Sequence, residues 1–310
     1  MQRLTLAALQ HFLFQVPALG KILLYLVVVV LLGALVAPPI YWMLHEVLDF
    51  PFYRYLSRAT QVTALVLLGP LLFWLGIRNT REFGLERNPH AARDALSGLI
   101  LALGPGALLG AACLMFDVYR IKKDLLPFLL LRIALTAGTV AVVEEFLFRG
   151  VLLGLAARSF GRWPAAFGVS VVFAGAHFLR PGKEAASEVE WWTGLAQMIR
   201  VFESAPPPSL WIAGFVSLLS AGLILAFATF RTRSLWLAIG LHAGWIFCQQ
   251  GLQWLAKYRV QPPEALMPWI GPNVVSGAVP TGLAPLSVLL LTGTGVWLYL
   301  RNVPETSRGS

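Results

Sequence analysis

The feature that most limits what this chain can become is a recurrence. Between Lys21 and Leu300 the sequence returns about eight times to an apolar run of roughly 17 to 25 residues, the length that carries a helix across a bilayer. Backbone groups in hydrocarbon must satisfy one another within the segment, so such runs are helices rather than open strands. Only 13% of the 310 residues are charged, about half the share usual in a soluble domain. The expected fold is therefore all-α. It is a polytopic membrane protein with about eight transmembrane helices in one bundle, residues 1–310 forming a single membrane domain.

The formal net charge of +9 could point to nucleic acid. Its basic residues instead lie in short segments between apolar runs, where they meet lipid headgroups. No basic, aromatic-interleaved stretch tracks a nucleic-acid backbone. Cys113 and Cys248 are the only cysteines, and both sit in apolar runs, which argues against a disulfide framework and a thiolate metal centre. The first long run has an apolar part longer than a signal-peptide core, so it reads as a first span kinked at Pro38-Pro39.

In order, the spans are expected at Lys21–Leu44, Val62–Ile77, Ala95–Phe116, Leu125–Leu155, Trp163–Phe178, Leu210–Phe230, Leu235–Leu255 and Leu286–Leu300. The connection between the fifth and sixth is the longest polar one. Within it Trp191, Leu195, Met198, Ile199 and Phe202 recur at helical spacing opposite Glu188, Glu190 and Arg200. That pattern predicts an amphipathic helix lying in the interface. An even number of spans puts both termini on one side. That side carries a slight excess of Lys and Arg, which makes it the cytoplasmic side, and the expected location is a bacterial inner membrane.

Several polar side chains fall where lipid or a dry core is expected. The fourth span contains Glu144-Glu145-Phe146-Leu147-Phe148-Arg149. Each charge at membrane depth costs roughly 2.5–3.5 kcal/mol on insertion scales, so it marks a site by default. Glu145 and Arg149 share a helix face at i,i+4, acid before base, and can pair. Glu144 lies about 100° around the helix with no local partner, a setting that suits proton transfer. Two other spans supply histidines: His177 after Phe173-Ala174-Gly175-Ala176, and His242 among Gly240, Ala243 and Gly244. His11, His45 and His90 lie outside the deep spans and read as surface residues.

One carboxylate and two imidazoles allow two chemistries. Glu144 and His177 can deprotonate a water while His242 stabilises the oxyanion at a peptide carbonyl. Alternatively Glu144, His177 and His242 can hold zinc or another divalent metal that activates the water. The sequence has no HExxH spacing and leaves both open, so the cofactor is unknown.

These residues resemble the CPBP family, the CAAX-type (Abi) intramembrane endopeptidases. The resemblance runs from about Leu131 to Gly251: Glu-Glu-x-x-x-Arg at Glu144, Glu145 and Arg149, Phe-x-x-x-His at Phe173 and His177, then His242 in a later span. It implies a multi-span helical protease acting on membrane-anchored protein or peptide substrates, such as prenylated tails, processed peptides or C-terminal sorting signals. Glu144, His177 and His242 would be catalytic, and Glu145, Arg149 and Phe173 supporting. One position departs from the family pattern. Where the family has Asn or Asp four residues after the third-motif histidine, this chain has Ile246. Losing one oxyanion donor typically costs about 10²–10³ in rate, unless Gln249 or Gln250, one turn on, replaces it. The alternative function is a non-catalytic binding or immunity-type membrane protein that keeps the protease fold.

Overall fold

The computed structural model describes residues 18–79, 81, 85–178, 188–200, 208–258 and 283–302. The chain is mostly helical and divides into two compact units, Met1–Glu82 with Phe178–Ala205, and Phe83–His177 with Pro206–Ser310.

In the first unit, α1 (Ala18–Leu44) and α2 (Phe52–Trp74) form a hairpin. The second span thus begins at Phe52, ten residues before the expected Val62. Pro51 precedes the first turn, and the aromatic N-terminal half buries Phe52, Tyr55, Leu56 and Ala59 against Ala34 and Ala37. Lys21 caps the far end, its Nζ donating to the Trp74 carbonyl at 3.1 Å. Helix α7 (Thr193–Arg200) packs on α1 through Gly194, where a Cβ would run into the Ala34 carbonyl. This close approach selects the small and polar face: Thr193, Gly194 and Gln197 turn inward, while Trp191, Trp192 and Ile199 stay exposed. Of the expected apolar stripe, Trp191 and Ile199 are thus exposed, Leu195 and Met198 pack against the core of α1 and α2, and Phe202 lies outside the described residues.

The second unit contains α3 (Ala91–Met115), α4 (Phe128–Glu145), a π-helical stretch (Phe146–Leu152), α5 (Leu153–Phe160), α6 (Arg162–Phe178), α8 (Pro208–Thr232), α9 (Trp236–Leu255) and α10 (Ala284–Asn302). Its most intimate pair is α3 with α9. A Cβ on Gly240 would collide with the Ala95 carbonyl, and one on Gly98 with the Leu237 carbonyl. Such glycine contacts let two membrane helices touch backbone to backbone. Around them Ala102, Leu225, Ala228, Leu237, Ala238, Leu241, Val296 and Leu300 form the core.

The all-α expectation needs one correction. β1 (Tyr119–Ile121) pairs antiparallel with β2 (Ala256–Tyr258), with Tyr119 opposite Tyr258. Asp117 ends α3 in the left-handed conformation at φ 56°, which Asp tolerates, and the aromatic and β-branched residues after it suit a strand. The ladder ties the end of α3 to the end of α9.

Among the described residues, five helices are long and apolar enough to cross a membrane: Gly20–Leu44, Phe52–Trp74, Ala91–Met115, Ile212–Thr232 and Ala284–Arg301. The remaining expected spans, α4 with its π-helical continuation, α6 and α9, are the ones that carry Glu144, His177 and His242. Their shortfall has a local cause. Helix α4 carries Arg132, Glu144 and Glu145, α6 has 17 residues, and α9 holds His242 and three glutamines. The chain is an integral membrane protein, and the three helices that fall short of that measure carry the site residues.

Candidate active site

Every residue of the candidate site belongs to the second unit. Glu144 and Glu145 close α4, and Arg149 lies in the π-helical stretch that continues it. A π turn widens the helix and recurs at functional sites. Here it begins directly after the second glutamate, and Arg149 still reaches back: its Nη1 donates to Glu145 Oε1 at 2.9 Å. Both side chains are buried, at 1% and 0% exposure. A pair so deep is tolerated because removing one partner would leave the other charge stranded.

Glu145 has a second partner from the far end of the sequence. His242 Nδ1 lies 2.7 Å from the same Oε1, across 97 positions. An ionised carboxylate only accepts hydrogen bonds, so Nδ1 carries the proton and the ring is fixed with Nε2 turned the other way. Nε2 then faces Glu144 Oε2 at 3.8 Å, beyond hydrogen-bond length. Glu144 is a quarter exposed, yet its Oε2 is buried and has no hydrogen-bond partner among the described residues; the same holds for Glu145 Oε2 and Arg149 Nη2. Three unsatisfied polar atoms cluster at one place, where native interiors normally leave very few.

Phe173 on α6 joins these groups. Its ring is nearly fully buried, and the Arg149 guanidinium lies over it, 4.2 Å from the centroid. His177 meets it edge-on at 4.6 Å and His242 at 5.8 Å, while Phe148 packs at 5.2 Å. The cation over the ring face is held by the quadrupole in a desolvated setting. His177 Nδ1 sits 2.8 Å from the Phe173 carbonyl, one turn back. A carbonyl only accepts, so in the neutral ring Nε2 holds the lone pair.

The structure thus links Glu145, Arg149, Phe173 and His242 through pairwise contacts, sets Glu144 3.8 Å from His242, and joins His177 to them through Phe173. Sequence spacing pointed to the Glu145–Arg149 pair. It gave no sign that Glu145 also holds His242, because no local signal links residues that far apart. Ile246, Gln249 and Gln250 are half-buried on α9 beyond His242. Among the described residues no group of three His, Cys, Asp or Glu side chains is disposed to hold a metal ion. His45 stacks on Tyr41, His90 is half-buried in the turn before α3, and His11 lies outside the described residues.

Residues 126–248 match the family model described as type II CAAX prenyl endopeptidase, Rce1-like. Over this segment the chain is similar to the CPBP family of CAAX proteases. The segment spans under half of the chain, from the turn before α4 into α9, and contains all six site residues. CAAX proteases are intramembrane peptidases, and the buried charges of α4 and α9 lie inside the part that matches them. No curated protein and no solved structure matches the chain.

Proposed function

We propose that this protein is a CAAX-type intramembrane endopeptidase that hydrolyses a peptide bond of a prenylated, membrane-anchored substrate, with Glu144 as the base. The observation that carries the reading is the facing pair of Glu144 Oε2 and His242 Nε2, one an unpartnered buried acceptor and the other a ring nitrogen whose orientation Glu145 fixes. A water entering between these groups and His177 gives its proton to the Glu144 carboxylate, and its oxygen attacks the carbonyl carbon. The electron pair of the C=O bond moves onto oxygen. His242, protonated with Nδ1 held by Glu145, donates from Nε2 to that oxyanion. When the C–N bond breaks, Glu144 returns the proton to the leaving amine. Arg149 balances Glu145, so that carboxylate remains the acceptor that orients His242.

The same reading makes α4, α6 and α9 crossings alongside the five long apolar helices, giving eight. It places both termini in the cytoplasm of a bacterial inner membrane, with α7 lying in the interface. The test is cleavage of a farnesylated CAAX peptide in proteoliposomes. Wild type should cleave, in the presence of a strong chelator as well as without one. Glu144→Ala and His177→Ala should lose at least 10² in rate, the lower range for general acid–base groups. Equal cleavage by all three proteins would overturn the assignment.

A further inference from the structure

A second place in the same unit has the makings of a binding site. Where α3 and α9 end and α4 begins, beside the β1–β2 ladder, there is an open cavity of about 290 Å³. Its wall carries Lys122 and Arg132, one carboxylate (Asp124), and the apolar faces of Leu129, Ile133 and Trp254. Two of these side chains are held in place. Trp254 Nε1 donates to the Leu126 carbonyl at 3.1 Å, and Lys122 Nζ to the Gln253 carbonyl at 2.5 Å, leaving two ammonium protons for another acceptor.

Arg132 is the residue that needs an explanation. It stands on the second turn of α4, exposed, in a stretch read from the sequence as membrane span. Among the described residues its guanidinium meets no carboxylate within ion-pair distance, although Asp124 lines the same cavity. An arginine at the edge of a span without a protein counter-ion is costly unless something outside the chain supplies the charge. The neighbouring surface is also basic. Lys123 and Lys257 are exposed nearby, and Asp117 is engaged by Arg120 at 3.0 Å.

We propose that this cavity binds the phosphodiester headgroup of an anionic glycerophospholipid. Arg132 and Lys122 take the phosphate oxygens, and Leu129, Ile133 and Trp254 take the first methylenes of the acyl chains. The guanidinium fork matches two phosphate oxygens, which an ammonium alone cannot do. Two cations against one carboxylate favour an anionic over a zwitterionic headgroup. The position at the ends of apolar helices is where headgroups lie, and basic clefts between spans are a recurring form of lipid recognition. This inference is independent of the protease reading, since none of its residues belongs to the candidate active site.

The test is native mass spectrometry of the full chain, released from detergent after equilibration with phosphatidylglycerol or phosphatidylcholine. Wild type should retain phosphatidylglycerol in preference to phosphatidylcholine. Arg132→Gln should cut retention about fivefold, the worth of one basic residue at an anionic surface. Arg132→Lys should recover part of it, and Arg158→Gln, a basic residue elsewhere, should change nothing. An excess of inorganic phosphate should leave the bound lipid in place. Equal retention of both lipids, unchanged retention in Arg132→Gln, or full displacement by inorganic phosphate would each overturn the proposal. Should Arg132→Gln fail to fold, intrinsic fluorescence decides: brominated phosphatidylglycerol should quench wild type more than Trp254→Phe, and equal quenching would reject the site.

Discussion

His242 and Glu145 stand 97 positions apart in the chain, yet Nδ1 of one lies 2.7 Å from Oε1 of the other in a buried setting. The same oxygen takes Arg149 at 2.9 Å. Glu145 therefore does two things at once: it neutralises a buried arginine, and it fixes which nitrogen of His242 faces Glu144. The two roles can be separated by substitution.

Glu145→Ala leaves Arg149 buried and uncompensated, at 1% exposure. Breaking one half of a buried ion pair costs about 3–5 kcal/mol. Thermal unfolding in detergent should show a loss of that order, together with loss of peptide cleavage. A loss under about 1 kcal/mol, the range of an exposed pair, would mean that the pair is solvated in the membrane-embedded protein.

The double variant Glu145→Leu/Arg149→Met removes both charges and fills similar space. Apolar replacement of a whole buried pair is often neutral or stabilising, so stability should recover relative to Glu145→Ala. Cleavage should not, because His242 Nδ1 still lacks its acceptor. Recovery of both would show that Glu145 matters only as a counter-ion.

Phe173 offers a third separation. Its ring lies under the Arg149 guanidinium at 4.2 Å and against both histidines. Phe173→Leu keeps an apolar side chain but removes the π face. The cation–π contact should be lost at a cost of about 2 kcal/mol for a desolvated site. Cleavage should fall through kcat rather than KM, since the ring positions the histidines. A change in KM alone would assign Phe173 to substrate binding.

Much of this was legible in advance because membrane chemistry leaves few options. An apolar run of bilayer length has to be helical, and a charge inside one needs a reason, so Glu144, Glu145 and Arg149 stood out. Four features did not show. The start of α2 at Phe52 depends on aromatic packing against α1, which no single helix pattern encodes. The π-helical turn after Glu145 has no composition signal. Asp94 lies one residue before the expected start of the third span, yet it is buried in α3 and accepts from Asn88 Nδ2 at 2.8 Å and from the Tyr299 hydroxyl of α10. The α2 start and the Asp94 contacts are set by partners on other helices. The β1–β2 ladder was missed for the same reason: Tyr119 gains strand geometry only because Tyr258 is brought opposite it.

The last prediction concerns the position that departs from the family pattern. Ile246 is half-buried on α9, one turn beyond His242, so its side chain stands on nearly the same helix face. It can give no hydrogen bond, which leaves His242 Nε2 as the donor assigned to the oxyanion. Ile246→Asn would add an amide N–H to that face at little change in backbone, because the residue is not packed in the fully buried core. If His242 does stabilise an oxyanion, a second donor should raise kcat, by up to about 10²–10³ if the new amide is fully aligned, with KM little changed. The increase should vanish in the Glu144→Ala background, since a stabilised oxyanion is useless without an attacking water. A wild type already as fast as Ile246→Asn would place the second donor elsewhere, and Gln249→Ala and Gln250→Ala would then identify it by the matching loss in kcat.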